Sequence, residues 1–109
     1  MHELAIAESV VSSVLESTGG RHVSVVRLRV GRLAGVVPDA LTFCFGLATA
    51  GTTLEGASLE VDEEQGRAHC RTCEADFTLA DAFLLCDCGS ADVQLVSGRE
   101  LRVTSVEVA

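Results

Sequence analysis

Four cysteines grouped as two close pairs constrain this chain more than any other feature of its sequence. Cys70 and Cys73 lie in "CRTC", and Cys86 and Cys88 lie in "CDC" after twelve intervening residues. Two close pairs at this separation are typical of a zinc ribbon, in which two tight turns face each other and close a tetrahedral site of four thiolates. With all four ligands supplied by the protein, we expect a structural zinc ion rather than a catalytic one.

The second pair departs from the usual spacing, because only Asp87 separates its two cysteines. A Cys-x-Cys pair can still chelate a metal through a tighter turn, and His69 is a candidate substitute ligand. Two other interpretations stay open: unconnected free thiols, and a redox dithiol at Cys70 and Cys73. The second pair argues against the redox interpretation, since one redox pair needs no facing pair. Cys44 lies in an apolar segment and is expected to be a buried core residue.

The segments outside this cluster predict helices and strands. Apolar residues recur at helical spacing over residues 3–18, and Gly19 and Gly20 should end that helix. Pro38 suits the first position of a second helix running to about residue 50. Its apolar residues surround the helix axis, which predicts that it is largely buried; they are Leu41, Phe43, Cys44, Phe45 and Leu47.

Alternating apolar and polar residues predict strands in "VVRLRV", in "ASLEVDEE" and in "ELRVTSVEVA". Between the second and third of these lie residues with only short apolar runs and four of the five cysteines. We therefore expect an α/β core carrying an inserted sub-module, with residues 1–64 and 99–109 in the core and 65–98 in the insert. The insert has too little apolar surface to fold alone, so metal binding should stabilise it.

Composition limits the classes of function. The formal net charge is −8, every basic residue is arginine, and aromatic residues make up 4% with no Trp or Tyr. A nucleic-acid role is disfavoured, because neither a clustered basic surface nor a stacking platform is available. No signal peptide and no apolar run of about 20 residues is visible, so no membrane role is expected and the protein is predicted to be cytoplasmic. Cysteines in a reducing compartment favour metal chemistry over disulfides.

The amino terminus offers a second set of metal ligands. The amine of Met1, the backbone nitrogen of His2 and its imidazole can all reach one ion, closing a five-membered and a six-membered chelate ring. If the amide deprotonates, this nitrogen-rich planar set favours nickel(II) or copper(II) over tetrahedral zinc. Glu3 could add a carboxylate or its own backbone nitrogen. The competing interpretation is an exposed histidine with no role, since any chain beginning Met-His has these atoms.

Taken together, these segments resemble the HypA/HybF family of hydrogenase nickel-incorporation proteins over nearly the whole length. The resemblance lies in "MHEL", in "VRLRVGRLAGVVPDALTFCF", in "CRTC" and "CDCGS", and in "GRELRVTSVEV". The chain departs from the family at Cys86-Asp87-Cys88, where the family commonly has Cys-x-x-Cys with Pro after the first Cys. The fold that the resemblance implies is α/β (α+β): two helices packed on a small mixed β-sheet, with an inserted zinc ribbon.

The resemblance implies a nickel metallochaperone rather than an enzyme. It assigns nickel(II) to His2, Met1 and Glu3, and structural zinc(II) to the four paired cysteines. The implied partners are a HypB-type GTPase and the precursor of the [NiFe]-hydrogenase large subunit, with urease maturation proteins as a further client system. The alternative function is a zinc-ribbon interaction module that transfers no nickel, and a thiol–disulfide oxidoreductase ranks third. The sequence leaves open both a monomer and a homodimer.

Overall fold

The computed structural model describes residues 2–79 and 83–109, which form helices and strands in an α+β arrangement. In chain order the elements are α1 (Glu3–Thr18), β1 (Val23–Gly31), α2 (Pro38–Thr49), β2 (Ser58–Glu64), β3 (Gly66–Cys70), β4 (Asp76–Leu79), β5 (Val93–Ser97) and β6 (Leu101–Val108). The chain divides into two compact units. The first contains Met1–Arg29, Val36–Asp62 and Arg102–Ala109, and the second contains Val30–Gly35 and Glu63–Leu101.

The sheet β2-β1-β6 is mixed, with β1 in its centre. The Val23 N–H donates to the Thr53 carbonyl, and the Arg32 N–H donates to that of Glu64, so the chain segments around β1 and β2 advance in the same direction. β6 is antiparallel to β1. The Ala109 N–H donates to the His22 carbonyl just before β1, and the Gly31 N–H at the end of β1 donates to the Glu100 carbonyl. The parallel pair is joined through α2, as parallel strands require a crossover connection.

In the first unit, the central strand alternates as its sequence predicts. Val26 and Leu28 are buried, whereas Arg27 is partly exposed and bonds to the carboxylates of Glu60 and Glu107 on the two flanking strands. Exposed ion pairs of this kind contribute little each. The alternation itself fixes the register, since a slip of one residue would exchange the buried valines and leucines for arginines.

The two helices of the first unit pack against each other. α1 ends at Thr18, where Gly19 adopts a left-handed conformation (φ 57°) and its N–H bonds to the Leu15 carbonyl. That conformation favours glycine, which explains the predicted stop at this point. The interior of the unit consists of apolar side chains from both helices, from β1 and from the turn after α2: Ala7, Val10, Val11, Val14, Val23, Val26, Leu28, Leu41, Phe45 and Leu54.

The prediction that α2 is largely buried is wrong. Pro38 begins the helix as expected and Leu41 and Phe45 are buried, but Phe43 is 69% exposed and Leu47 is 57% exposed. A helix of this length that packs on one side leaves the other in solvent, and Asp39 and Thr42 are exposed there together with the two apolar residues. Cys44 is only partly buried. Neither helix among the described residues has the length and apolar character needed to cross a membrane.

The second unit is a three-stranded antiparallel sheet, β4-β3-β5, around a small core. Its buried residues are Ala68, Cys70, Leu79, Cys86 and Val93, with Leu33, Phe77, Leu84 and Leu95 partly buried against them. Two of the five buried side chains are therefore cysteines of the predicted metal site. A core this small supplies little hydrophobic stabilisation, which agrees with an insert that depends on a further ligand.

Three glycines allow the backbone to pass very closely within the second unit. A Cβ at Gly31 would lie 2.0 Å from the Gly98 carbonyl oxygen, and a Cβ at Gly98 would lie 2.6 Å from the Gly66 Cα. Gly98 also has a φ of 123°, which side-chain-bearing residues rarely adopt. The Leu33 N–H bonds to the Gly98 carbonyl at 2.7 Å. A side chain at Gly31 or Gly98 would separate backbone segments that now touch, whereas one at Gly66 would meet the Leu33 side chain.

Phe43 and Phe45 lie two residues apart in α2 and differ in burial, which gives a matched test of the helix orientation. Phe45→Ala should lower the free energy of unfolding by about 3–5 kcal/mol, because it removes a buried aromatic side chain and leaves a cavity. Phe43→Ala should change it by less than about 1 kcal/mol, because that ring is mostly in solvent. Urea unfolding followed by circular dichroism measures both. Equal losses for the two variants would contradict the observed orientation of α2.

Candidate metal centre

The first half of the site is a tight turn at the end of β3. The Cys70 N–H donates to the Ala75 carbonyl at 2.9 Å, and the Glu74 N–H donates to the Cys70 carbonyl at 2.9 Å, which closes the turn around Cys73. Glu74, the residue after the second cysteine, has a φ of 64°. Among the residues that the structure describes, it is the one residue other than glycine with a positive φ. The turn thus brings the sulfurs of Cys70 and Cys73 within 4.8 Å of each other.

The second half repeats this closure with one residue fewer. The Cys86 N–H donates to the Ser90 carbonyl at 3.0 Å, and the Gly89 N–H donates to the Cys86 carbonyl at 2.8 Å. Gly89 again follows the second cysteine of the pair and has a φ of 91°. The shortened Cys-x-Cys spacing is therefore accommodated by a turn that is shorter by the same one residue, with equivalent backbone bonds.

The four sulfurs converge at distances that fit a tetrahedral ion. The ligand atoms of Cys70, Cys73, Cys86 and Cys88 all lie within 4.8 Å of one another. The sulfur of Cys70 is 3.7 Å from that of Cys88, and the sulfur of Cys73 is 3.6 Å from that of Cys86. A zinc–sulfur bond of about 2.3 Å gives a tetrahedron edge of about 3.8 Å. The separations exceed a disulfide bond, and the donor set of four soft sulfurs suits zinc.

Backbone N–H groups point at the sulfurs and favour the ionised thiolate form. Bonds from the N–H groups of Cys73 and Thr72 lower the pKa of the Cys70 thiol to about 6. The Ala75 N–H also acts to lower the pKa of the Cys73 thiol. Contacts with the Cys86 and Cys70 thiols outweigh this bond, so the pKa of Cys73 is raised. At Cys86 and Cys88 the backbone N–H groups of Cys88 and Ser90 favour the thiolate, but burial and contacts with neighbouring thiols together raise the pKa of both. One thiol of the four is thus readily ionised before a metal binds.

His69 lies beside this centre and makes different contacts. Its Nδ1 is 2.7 Å from the Asp76 carboxylate and its Nε2 is 3.1 Å from that of Glu74. Hydrogen bonds to Asp76 and then Glu74 raise the pKa of His69 against the opposing effect of burial. Both ring nitrogens thus face carboxylates, and among the described residues the convergent ligand cluster consists of the four cysteines.

The predicted nickel ligands lie at the start of α1. His2 is exposed and directly precedes the helix, with its carbonyl accepting the first helical bond from Ile6 at 2.9 Å. Met1 lies outside the described residues. Glu3 is 6% exposed, and its carboxylate accepts a bond from the Val37 N–H at 3.1 Å.

This contact gives Glu3 a role that sequence reasoning missed. Val37 is the N-cap of α2 and has no side-chain cap of its own, so the carboxylate from α1 satisfies a free N–H at that helix end. Negative charge at a helix N-terminus is also favoured by the helix dipole. No local signal could have revealed the pairing, because 34 residues separate its partners.

The fold and the cysteine centre define a small metal-handling protein, and comparisons with known proteins agree. The profile described as "Hydrogenase/urease nickel incorporation, metallochaperone, hypA" matches residues 1–108. Relatives described as hydrogenase maturation factor HypA include those of Trichormus variabilis (44% identical, covering 99% of this chain and 96% of the relative) and Geobacter metallireducens (46% identical, 99% of each). The solution structure of the Ni metallochaperone HypA from Helicobacter pylori superposes with a TM-score of 0.70 at 21% identity, covering 99% of this chain and 97% of that one.

The chain belongs to the HypA family, whose members are nickel metallochaperones and maturation factors rather than enzymes. The predicted α+β fold, with two helices, a small mixed sheet and a cysteine-bearing insert, is confirmed by the structure and by the similarity to the solved fold.

Removal of the Glu3 carboxylate should destabilise the first unit. Glu3→Ala should lower the free energy of unfolding by about 1–2 kcal/mol, because the Val37 N–H loses its partner and α2 loses a favourable charge. Glu3→Gln, which keeps an acceptor oxygen, should lose less. Glu8→Ala is the matched control, since Glu8 is exposed on the same helix. Chemical denaturation measures all three, and a Glu3→Ala value equal to that of Glu8→Ala would contradict the capping role.

Metal binding at the cysteine centre should release protons. Because the Cys70 thiol has a pKa of about 6 and the other three are raised, zinc binding near pH 7.5 should displace about three protons rather than four. Affinity should fall steeply at lower pH, where thiols retain protons. Calorimetry in buffers of different ionisation enthalpy counts the protons. Release of no protons would show that the cysteines are not the ligands.

Proposed function

We propose that this protein binds nickel(II) at its amino terminus and delivers it for the maturation of [NiFe]-hydrogenase. The observation that carries the proposal is the family match over residues 1–108, which includes the Met1-His2-Glu3 start. The terminal amine, the backbone nitrogen and the imidazole of His2 supply a nitrogen-rich set that suits nickel(II). The exposure of His2 supports this assignment, because a delivery site has to be reached by both donor and recipient.

Glu3 directly follows His2, and we propose that it supports the nickel site. Its carboxylate accepts a bond from the Val37 N–H, which holds this residue in place directly beside His2. Nickel binding at the terminus would then be felt at the start of α2, because the same residue contacts both. Glu3 is therefore proposed first as a positioning residue and second as a ligand.

The cysteine centre is proposed to carry structural zinc(II). The sulfur separations of 3.6 and 3.7 Å support this, as does the small core of the second unit, whose buried side chains include Cys70 and Cys86. Zinc binding would supply the stabilisation that a core of this size lacks. An ion with four protein ligands has no open coordination position, so the centre has no catalytic role in this proposal.

The partners proposed are those of the family: a HypB-type GTPase that assists nickel transfer, and the hydrogenase large-subunit precursor as recipient. Urease maturation proteins are a second client system, in keeping with the family description. We place the protein in the cytoplasm, together with the partners proposed for it. The net charge of −8 makes nucleic acid an unfavourable partner.

Loss of the His2 imidazole should weaken nickel binding strongly. His2→Ala removes one chelate ring, and we expect the nickel dissociation constant to rise by at least about tenfold, since chelate closure supplies much of the affinity. Acetylation of the terminal amine should have a similar effect. Titration calorimetry on zinc-loaded protein measures both changes.

The matched control is His22→Ala, since His22 is another exposed histidine of the first unit. Its nickel affinity should equal that of the unmodified chain. Equal affinity for His2→Ala and His22→Ala would overturn the terminal site. Native mass spectrometry separates the alternative function: one zinc and one nickel per chain supports the chaperone, whereas zinc alone supports an interaction module that transfers no nickel.

A further inference from the structure

The two halves of the cysteine centre are closed by different residues at equivalent positions. In the first turn Ala75 lies two residues after the second cysteine, and its carbonyl accepts the bond from the Cys70 N–H. In the second turn Ser90 occupies this place, two residues after Cys88, and its carbonyl accepts the bond from the Cys86 N–H. The shorter turn is thus closed by a residue with a hydroxyl group, and the longer turn by one without.

The shorter turn provides fewer bonds to its first sulfur. The Cys70 sulfur receives the N–H groups of both Thr72 and Cys73, whereas the corresponding Cys86 sulfur receives that of Cys88. Each N–H that points at a thiolate offsets part of its negative charge, so the second half-site holds its metal with less help from its own backbone.

The Ser90 hydroxyl makes contacts that have no counterpart at Ala75, the equivalent residue of the first turn. Its Oγ is 2.7 Å from the Thr72 Oγ1 in the opposite turn, and it accepts a bond from the Asp92 N–H at 3.1 Å. The Ser90 N–H also points at the Cys88 sulfur. One residue therefore closes the second turn, contacts one of its ligands and links it to the first turn.

A second link lies next to this one. The Arg71 N–H donates to the Asp92 carbonyl at 3.0 Å, and its guanidinium bonds to the Asp92 carboxylate at 2.9 Å. The backbone part of this contact resembles ordinary sheet pairing, and the exposed ion pair adds little. Thr72 directly precedes Cys73, and the Ser90 N–H points at the Cys88 sulfur, so the hydroxyl contact joins residues next to ligands of both half-sites.

We propose that Ser90 is a positioning residue that compensates for the shortened Cys86-Asp87-Cys88 turn by tying it through its hydroxyl to Thr72. The hydroxyl fixes the second turn against the first, which keeps all four sulfurs at tetrahedral separations although one residue is missing. This inference rests on the zinc assignment of the proposed function and is independent of nickel binding at the terminus.

The experiment compares the zinc affinity of the full-length chain with that of Ser90→Ala and Ser90→Thr. A chromophoric chelator competes for zinc, and cobalt(II) substituted at the same site reports tetrahedral geometry through its visible spectrum. Ser90→Ala should raise the zinc dissociation constant about fivefold or more and weaken the tetrahedral cobalt spectrum, since a hydrogen bond of ordinary strength is lost. Ser90→Thr retains the hydroxyl and should restore both.

Thr72→Val removes the other hydroxyl and should behave like Ser90→Ala. Thr78→Val is its matched control, because Thr78 is an exposed threonine on the neighbouring strand β4. A glycine inserted between Asp87 and Cys88 restores the usual two-residue spacing. In that background Ser90→Ala should change zinc affinity by less than about twofold, because the restored residue supplies the missing support.

The outcomes separate the claims. Loss in Ser90→Ala, recovery in Ser90→Thr and suppression by the inserted glycine together support the compensation. A Ser90→Ala affinity within about twofold of that of the unmodified chain would overturn it, and so would an equal loss in the insertion background. An unmodified chain that binds neither zinc nor cobalt would overturn the zinc assignment and this inference with it. Failure of nickel binding alone leaves these results standing and refutes only the terminal site.

Discussion

The convergence of four cysteine sulfurs is the constraint on which the second unit depends. Its core contains five buried residues, and two of these are Cys70 and Cys86, so the ligands and the interior are partly the same side chains. A metal ion at this point would bond to the core itself rather than to a surface loop. Folding and metal binding in this unit are then expected to be one process, as in other small metal-dependent domains.

The first unit is stabilised mainly by hydrophobic burial, and polar contacts satisfy backbone groups at the helix ends. Branched side chains of β1 and of the two helices form its interior, and its outer strand surface is charged. Glu3 then connects α1 to the unsatisfied N-terminus of α2. The residue beside the proposed nickel ligand His2 is therefore held by the fold, while His2 itself is in solvent. That arrangement combines a fixed neighbour with an accessible ligand.

Much of this fold could be predicted from sequence because the signals are local. The alternation of Val26, Arg27 and Leu28 predicts the strand and its buried face, and Gly19 and Pro38 mark helix boundaries through their backbone preferences. The exposure of Phe43 could not be predicted, since helical periodicity does not say which apolar side meets a neighbour. The contacts of Glu3 with Val37 and of Thr72 with Ser90 join distant segments, and no spacing rule encodes them. The cysteine cluster was predictable because ligand chemistry imposes its own spacing.

The close passage of Gly31, Gly66 and Gly98 has a consequence for how such a chain can change. Gly66 and Gly98 bracket the cysteine-bearing hairpins, and their backbones touch, so this stretch leaves and returns at a single point. A segment whose ends meet can be lengthened, shortened or exchanged without stretching what lies outside it. The loss of one residue at the second cysteine pair is a small instance of that freedom. Gly31 and Gly98 have no comparable freedom, because at either of them a single methyl group would force the crossing apart.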